Sequence, residues 1–367
     1  MSVLLLVAIA AASLTAQTLD KISSAEFCGR CHRAIHEAWK TSSHARAMDS
    51  PLFQDALEAA ASEFGAAARN TCLSCHSPLA QQLGDTTLQR KVSWEGVTCD
   101  YCHSIREVTL GAANPKARLE FNLIKSGPLK DAVSGAHGTV FSEVHTNATV
   151  CAPCHEYRNA QGFPVLTTYS EWQKSRYWKE GRQCQSCHMS AVKGEVVDPK
   201  FQRVATSKIN LHQMPGSHSI DQLNSTIKAS IQTSREGGQI KVKVTVSNTA
   251  AGHFVPTGSP LRQLVLEVRA DAYNGKHLRD ERVYRRVVAD AQGKEIEREH
   301  IAFLKAAKVL SDTRLAPDEK RVEQFAFNIP QGVAAQVKAA LIYYYSPMAS
   351  TESQKRVTFL TMSRLVN

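Results

Sequence analysis

Cys28-Gly29-Arg30-Cys31-His32 sets a pattern that returns as Cys72-Leu73-Ser74-Cys75-His76, Cys99-Asp100-Tyr101-Cys102-His103, Cys151-Ala152-Pro153-Cys154-His155 and Cys184-Gln185-Ser186-Cys187-His188. These stretches use all 10 cysteines of the chain. Two thiols three residues apart sit on one side of a helical turn, where each can add to a haem vinyl group, and the next imidazole then meets the iron. The reading is five covalently attached haems c. Their anchors are Cys28, Cys31, Cys72, Cys75, Cys99, Cys102, Cys151, Cys154, Cys184 and Cys187, and their proximal iron ligands are His32, His76, His103, His155 and His188.

Three blander readings compete. Ten cysteines in an exported protein could make five disulfides, a Cys-x-x-Cys pair could supply half a zinc site, and a single pair could be a redox dithiol. None of them calls for a histidine after the second cysteine in every copy. Haem attachment needs an extracytoplasmic compartment, and the amino terminus agrees independently. The first sixteen residues carry no charged side chain, run apolar from Val3 to Ala12 and end in Ser13-Leu14-Thr15-Ala16, which reads as a secretory signal peptide over residues 1–16. Its n-region is atypical in lacking Lys and Arg. No later stretch approaches about 18 uninterrupted apolar residues, so the expected location is periplasmic or extracellular.

The net charge of +10 ordinarily points to an anionic partner such as nucleic acid or a membrane surface. Here each haem brings two propionates against one positive ferric core, so five haems supply about minus five and halve the excess. Much of the Lys and Arg is read as pairing propionates, and no nucleic-acid partner is expected.

The motifs and candidate sixth ligands extend to about residue 218, which leaves roughly 40 residues per haem, too few to wrap each one in its own apolar core. The haems must therefore pack on one another in a mainly helical and loop domain, residues 17–222. Helices are expected over Ala34 to Lys40 and Phe53 to Ala68, with loops at Gly111 to Pro115 and Gly135 to Gly138. A weak repeat, Trp39-Lys40-Thr41-Ser42 against Trp172-Gln173-Lys174-Ser175, lies in this half. From about residue 225 the texture changes to period-two alternation in Gln239 to Ser247, Leu261 to Ala270, Arg321 to Ile329 and Val337 to Tyr345. That predicts a haem-free all-β domain, residues 223–367, of five to eight strands in an immunoglobulin-like sandwich.

Of 14 histidines, those outside the motifs are His36, His44, His137, His145, His212, His218, His253, His277 and His300. His36 shares a helical face with His32 and cannot cross to the far side of that porphyrin. His277 and His300 lie in charged sequence and are expected to be solvated. The candidate distal ligands are His44, His137, His145, His212, His218 and His253, beside motifs or in Gly- and Pro-rich loops. Bis-histidine ligation fills both axial positions and suits electron transfer at negative potentials.

With these motifs in view, residues 24 to 220 resemble the cytochrome c-554-like multihaem cytochromes, relatives of the pentahaem nitrite reductase and hydroxylamine oxidoreductase group. The carriers are Cys28 through Trp39-Lys40-Thr41-Ser42-Ser43-His44-Ala45, Cys75-His76-Ser77-Pro78, Glu95-Gly96-Val97-Thr98-Cys99-Asp100-Tyr101-Cys102-His103, and Cys184 to Met189. The resemblance implies that His44 is a distal ligand and that haems stack in close pairs. The second domain looks like one appended to many multihaem cytochromes, carried by Asn248 and Gly252-His253-Phe254-Val255-Pro256-Thr257-Gly258. No Cys-x-x-Cys-Lys occurs, a departure from the nitrite reductases. The expected function is electron transfer between redox partner proteins. The alternatives are an oxidoreductase with one open haem acting on a small nitrogen or sulfur compound, and a subunit that docks onto a membrane complex or builds a polymer.

Overall fold

The computed structural model of the protein describes residues 22–111, 113–201 and 208–367, and the expected signal segment, residues 1–16, lies outside them. The chain packs as two units: residues up to Tyr157 with Arg182–Pro215, and Arg158–Gly181 with Gly216–Asn367. Against an expected boundary at 222/223, the second unit begins at Gly216 and takes in an interval from between the fourth and fifth motifs. Among the described residues no helix is long and apolar enough to cross a membrane.

The first unit is made of short helices and two-stranded ribbons. Ser50 caps the helix Pro51–Phe64 by accepting from the Phe53 amide, with Pro51 in the first turn, where its missing N–H costs nothing. The expected helix from Phe53 to Ala68 is two: Gly65 at φ +79° closes the first and opens Ala66–His76. Only glycine takes that conformation cheaply, and the break turns the second helix so that it ends in Cys72 to His76. The apolar clusters seen among the described residues are small. One cluster holds Met48, Leu57, Leu73, Ala80 and Leu88, another Leu79, Tyr101 and Ile105. The ribbons pair Ile105–Thr109 with Lys116–Leu119 antiparallel, around the expected loop, and Ile124–Gly127 with Gly138–Phe141 in parallel.

The second unit has the larger core. Its strands are β1 Ile227–Glu236, β2 Gln239–Asn248, β3 Gln263–Ala272, β4 His277–Ala289, β5 Lys308–Asp312, β6 Lys320–Asn328, β7 Ala335–Tyr344 and β8 Arg356–Val366. They form an antiparallel sheet β6-β2-β1 and another ordered β5-β4-β3-β7-β8. Alternating residues of both sheets, among them Ile231, Ile240, Val244, Leu264, Leu266, Val337 and Leu341, share one buried apolar cluster, each large side chain contributing about 1.5–3 kcal/mol. The alternation in the sequence finds β2, β3, β6 and β7. His300 corrects the expectation that it is solvated: it lies on the helix Glu299–Lys305 and is 5% exposed. His277 is exposed at the start of β4 and pairs with Asp271 at 2.7 Å.

A buried carboxylate explains why Arg158–Gly181 joins this unit. Glu171, on the helix Thr168–Gln173, accepts from Arg314 Nη1 at 2.8 Å, Thr167 Oγ1 at 2.7 Å, Thr257 Oγ1 at 2.8 Å and the Phe254 amide at 3.2 Å. Arg286 adds bonds to the carbonyls of Pro164 and Val165. Burial alone would raise the Glu171 carboxyl, but Arg314 and the two hydroxyls outweigh it and hold it below the usual carboxylate range. Its contribution to stability is therefore complete at neutral pH and lost as pH falls through that lowered value. Glu171→Ala leaves Arg314 paired with Asp312 alone among the described carboxylates and removes the acceptor of the Thr167 and Thr257 hydroxyls and the Phe254 amide, so it should cost about 1–3 kcal/mol, seen as a lower denaturant midpoint. Glu171→Gln, which keeps an acceptor oxygen in place, should lose less.

Candidate functional site

Each motif is wound into a helical turn. Cys28 lies in Ala25–Gly29, capped by Ser24, with His32 just beyond. Cys72, Cys75 and His76 end Ala66–His76, and Cys99–His103 is a helix of its own with Thr98 accepting from the Asp100 amide. Cys154 and His155 end Ala152–His155, while Cys184–His188 starts in a reciprocal cap between Gln183 and Ser186. All ten cysteines are free and partly buried. Burial pushes the Cys72 and Cys102 thiols up to about 11, whereas contacts with the thiols of other motifs hold Cys28, Cys75 and Cys184 below the usual thiol range. Among the described residues no three His, Cys, Asp or Glu side chains gather as a metal cluster.

Thiols of different motifs meet in pairs: Cys28 with Cys99, Cys75 with Cys154, and Cys151 with Cys184. Cys102 acts electrostatically on both Cys151 and Cys154. The first motif thus adjoins the third, the second adjoins the fourth, and the fourth adjoins the third and the fifth.

The imidazoles are oriented by the backbone. His32 Nδ1 is 2.6 Å from Val196 O, His103 Nδ1 2.6 Å from Ser126 O, His188 Nδ1 2.6 Å from Pro215 O and His76 Nδ1 3.2 Å from Ala47 O. A carbonyl only accepts, so Nδ1 carries the proton and Nε2 keeps its lone pair, the tautomer a metal needs. Burial pushes His103 down to about 3, which keeps it neutral and able to ligate.

Second imidazoles face the motif histidines. Ring centroids are 6.1 Å apart for His32 and His137, 6.1 Å for His44 and His155, 5.6 Å for His103 and His145, and 6.4 Å for His103 and His212. Two metal–nitrogen bonds of about 2 Å set end to end, with half a ring on each side, separate centroids by roughly 6 Å. His145 gives Nε2–H to Cys102 O at 2.9 Å, and its buried Nδ1 has no hydrogen-bond partner among the described residues. An orphaned nitrogen beside His103 fits an iron ligand, as the whole donor set fits haem c. Of the sequence candidates, His44, His137, His145 and His212 are brought to motif histidines. His218 and His253 lie in the second unit, where His218 stacks on Tyr345 at 4.1 Å and His253 Nδ1 bonds Phe254 O at 2.9 Å. His36 packs on Gly29, where a Cβ would stand 2.6 Å from its ring.

Several functional positions carry no side-chain signal. The carbonyls of Ala47, Ser126, Val196 and Pro215 could not be singled out, since every residue has one. The third motif is also clamped to the strand Ile124–Gly127: Asp100, fully buried, pairs with Lys125, and Arg106 bonds Ser126 Oγ and Ile124 O. The stretches around His44 and Gly96, which both carry the family resemblance, turn out to touch. Trp39 Nε1 donates to Val97 O and Val97 N to His44 O, each at 2.9 Å.

Residues 27–104 match the sequence family described as cytochrome c554 and c-prime. No curated protein matches the chain at a significant level. Among solved structures, a penta-haem cytochrome c552 from Thermochromatium tepidum is similar with a TM-score of 0.73 and 22% identity, covering 94% of this chain and 99% of that one. The sporulation control protein Spo0M from Bacillus subtilis and the ApaA protein from Bordetella pertussis each cover 38% of this chain at 12% and 10% identity, with TM-scores of 0.18 and 0.20 too low to carry an argument. The fold is that of a penta-haem c-type cytochrome, with an antiparallel sheet unit in the carboxy-terminal part.

The His44 segment depends on Gly96, which sits at φ +67° with its missing Cβ directed at the His44 and Ala45 carbonyls. Gly96→Ala is expected to cost about 1–2 kcal/mol for the left-handed backbone alone and more for the collision. The loss should appear in thermal unfolding and in a high-spin signal from one displaced haem ligand.

Proposed function

From a chain with the fold of a penta-haem c-type cytochrome, we propose an exported electron carrier that holds five covalent haems c and passes electrons between redox partner proteins. The observation that carries it is the facing of motif imidazoles by second imidazoles at a spacing that suits one iron between them. The cysteine pairs would anchor the porphyrins, and His32, His76, His103, His155 and His188 would be the proximal ligands. His44, His137, His145 and His212 would be distal ligands, with His218 and His253 the remaining candidates of the sequence. Haem would supply a one-electron iron couple, and the facing imidazoles would hold it while the motif cysteines would fix the spacing between centres. The pairwise meeting of thiols supports a connected path through all five, because haems anchored there are neighbours. The +10 charge, part of which propionates would neutralise, suits docking to partner proteins, including a membrane complex.

One observation favours a second reading. His76 stacks on Phe53, with ring centroids 3.7 Å apart and planes 8° from parallel. An aromatic wall of that kind beside the second motif would suit an open iron serving an oxidoreductase that acts on a small nitrogen or sulfur compound.

A spectrum separates the two. The carrier should be low-spin throughout, unchanged by carbon monoxide after reduction, with most midpoints at negative potential and five covalent haems by mass. A high-spin haem that binds carbon monoxide would replace the carrier by the enzyme.

A further inference from the structure

We infer that the dipeptide Met214-Pro215 sets the donor strength of two haem-ligating imidazoles in opposite directions, weakening His44 through the Met214 sulfur and strengthening His188 through the Pro215 carbonyl. This rests on the reading of His44 as a distal iron ligand and goes beyond it by assigning a tuning residue.

His44 Nδ1 lies 2.8 Å from Met214 Sδ. A thioether accepts weakly and donates nothing, so Nδ1 carries the proton and Nε2 keeps the lone pair. His32, His103, His188 and His212 give the same proton to a backbone carbonyl at 2.6 Å. A strong acceptor draws the ring toward imidazolate and makes the ligating nitrogen more basic. A more basic ligand favours ferric over ferrous iron and lowers the potential, while the thioether leaves His44 the poorer donor.

The arrangement is built into the backbone. Met214 sits at φ +46°, a region unfavourable to any residue but glycine, and the following proline further restricts it toward extended conformations. Strain retained at one residue is a mark of function when the surroundings hold it there. Here the surroundings are two half-buried rings, His44 against the Met214 sulfur and His188 against the Pro215 carbonyl. Adjacent residues therefore impose a difference between two neighbouring centres.

The test is a potentiometric and electron-paramagnetic-resonance comparison of full-length holoprotein carrying Met214→Gln, Met214→Leu or His44→Ala. In Met214→Gln an amide oxygen of similar reach replaces the sulfur. One midpoint should fall so that the reduced-to-oxidised ratio at fixed potential drops about tenfold, about 59 mV for a one-electron couple. In Met214→Leu, which keeps the volume and removes the acceptor, the same centre should shift upward or stay, never downward. If Met214→Gln does not mature with five haems, Met214→Asn takes its place as the variant that supplies an amide oxygen, with the same expected fall. His44→Ala should convert one low-spin signal to high spin; if it leaves every signal intact, the ligand reading itself fails. If His44→Ala behaves as expected while Met214→Gln moves no midpoint, or moves one upward, or Met214→Leu moves one downward, the tuning role is overturned. It is equally overturned if Met214→Leu creates a high-spin haem, since Met214 would then be a ligand.

Discussion

An imidazole that gives one nitrogen to a metal would have a single proton left to place, and four motif histidines of the first unit place theirs alike. For His32, His76, His103 and His188 it goes to the carbonyls of Val196, Ala47, Ser126 and Pro215, each on a segment remote in sequence. A motif of five residues thereby recruits a second stretch of backbone, and short helices with little apolar contact of their own acquire fixed neighbours. This is how a unit with such small buried clusters holds its histidines in register. Haem surface would supply the missing core, in keeping with the limited polypeptide available per cofactor.

What could be read from the sequence was whatever repeats or alternates. Five copies of one motif named the cofactor, and period-two runs found β2, β3, β6 and β7 to within a few residues. Even the weak tryptophan repeat has a structural basis: Ser42 N bonds Trp39 O and Ser175 N bonds Trp172 O, the same helix-ending turn in both copies, although the copies fall in different units. β4 was hidden because Arg279, Asp280, Glu281 and Arg282 interrupt its alternation, the charges being met by cross-strand partners such as Glu267. β1, with its buried Ile227 and Ile231 four residues apart, offered too few apolar residues to stand out.

The rest was invisible for a different reason. The meeting of Gly96 with His44, the bond from Met214 to His44 and the pairing of Glu171 with Arg314 join residues far apart along the chain, and nothing in their local surroundings announces the partner. His300 shows the same limit: a charged neighbourhood suggested water, yet its helix turns it inward. Candidate ligands could therefore be enumerated from residue type, but only tertiary geometry could say which of them face a motif histidine. His103 shows it most clearly, since it has both His145 and His212 within reach of its ring.

The second unit is discontinuous, made of Arg158–Gly181 and everything after Pro215, and this bears on how the protein is born. A nascent chain emerges from its amino end, so Glu171 and Trp172 appear long before Arg314 or the strands they belong with. Until those strands exist, Glu171 has neither Arg314 nor Thr257 to pair with, so the interval between the fourth and fifth motifs cannot reach its buried arrangement before the carboxy-terminal sheets do. Were haem attached to those two motifs during synthesis, attachment would proceed with that interval still unpacked.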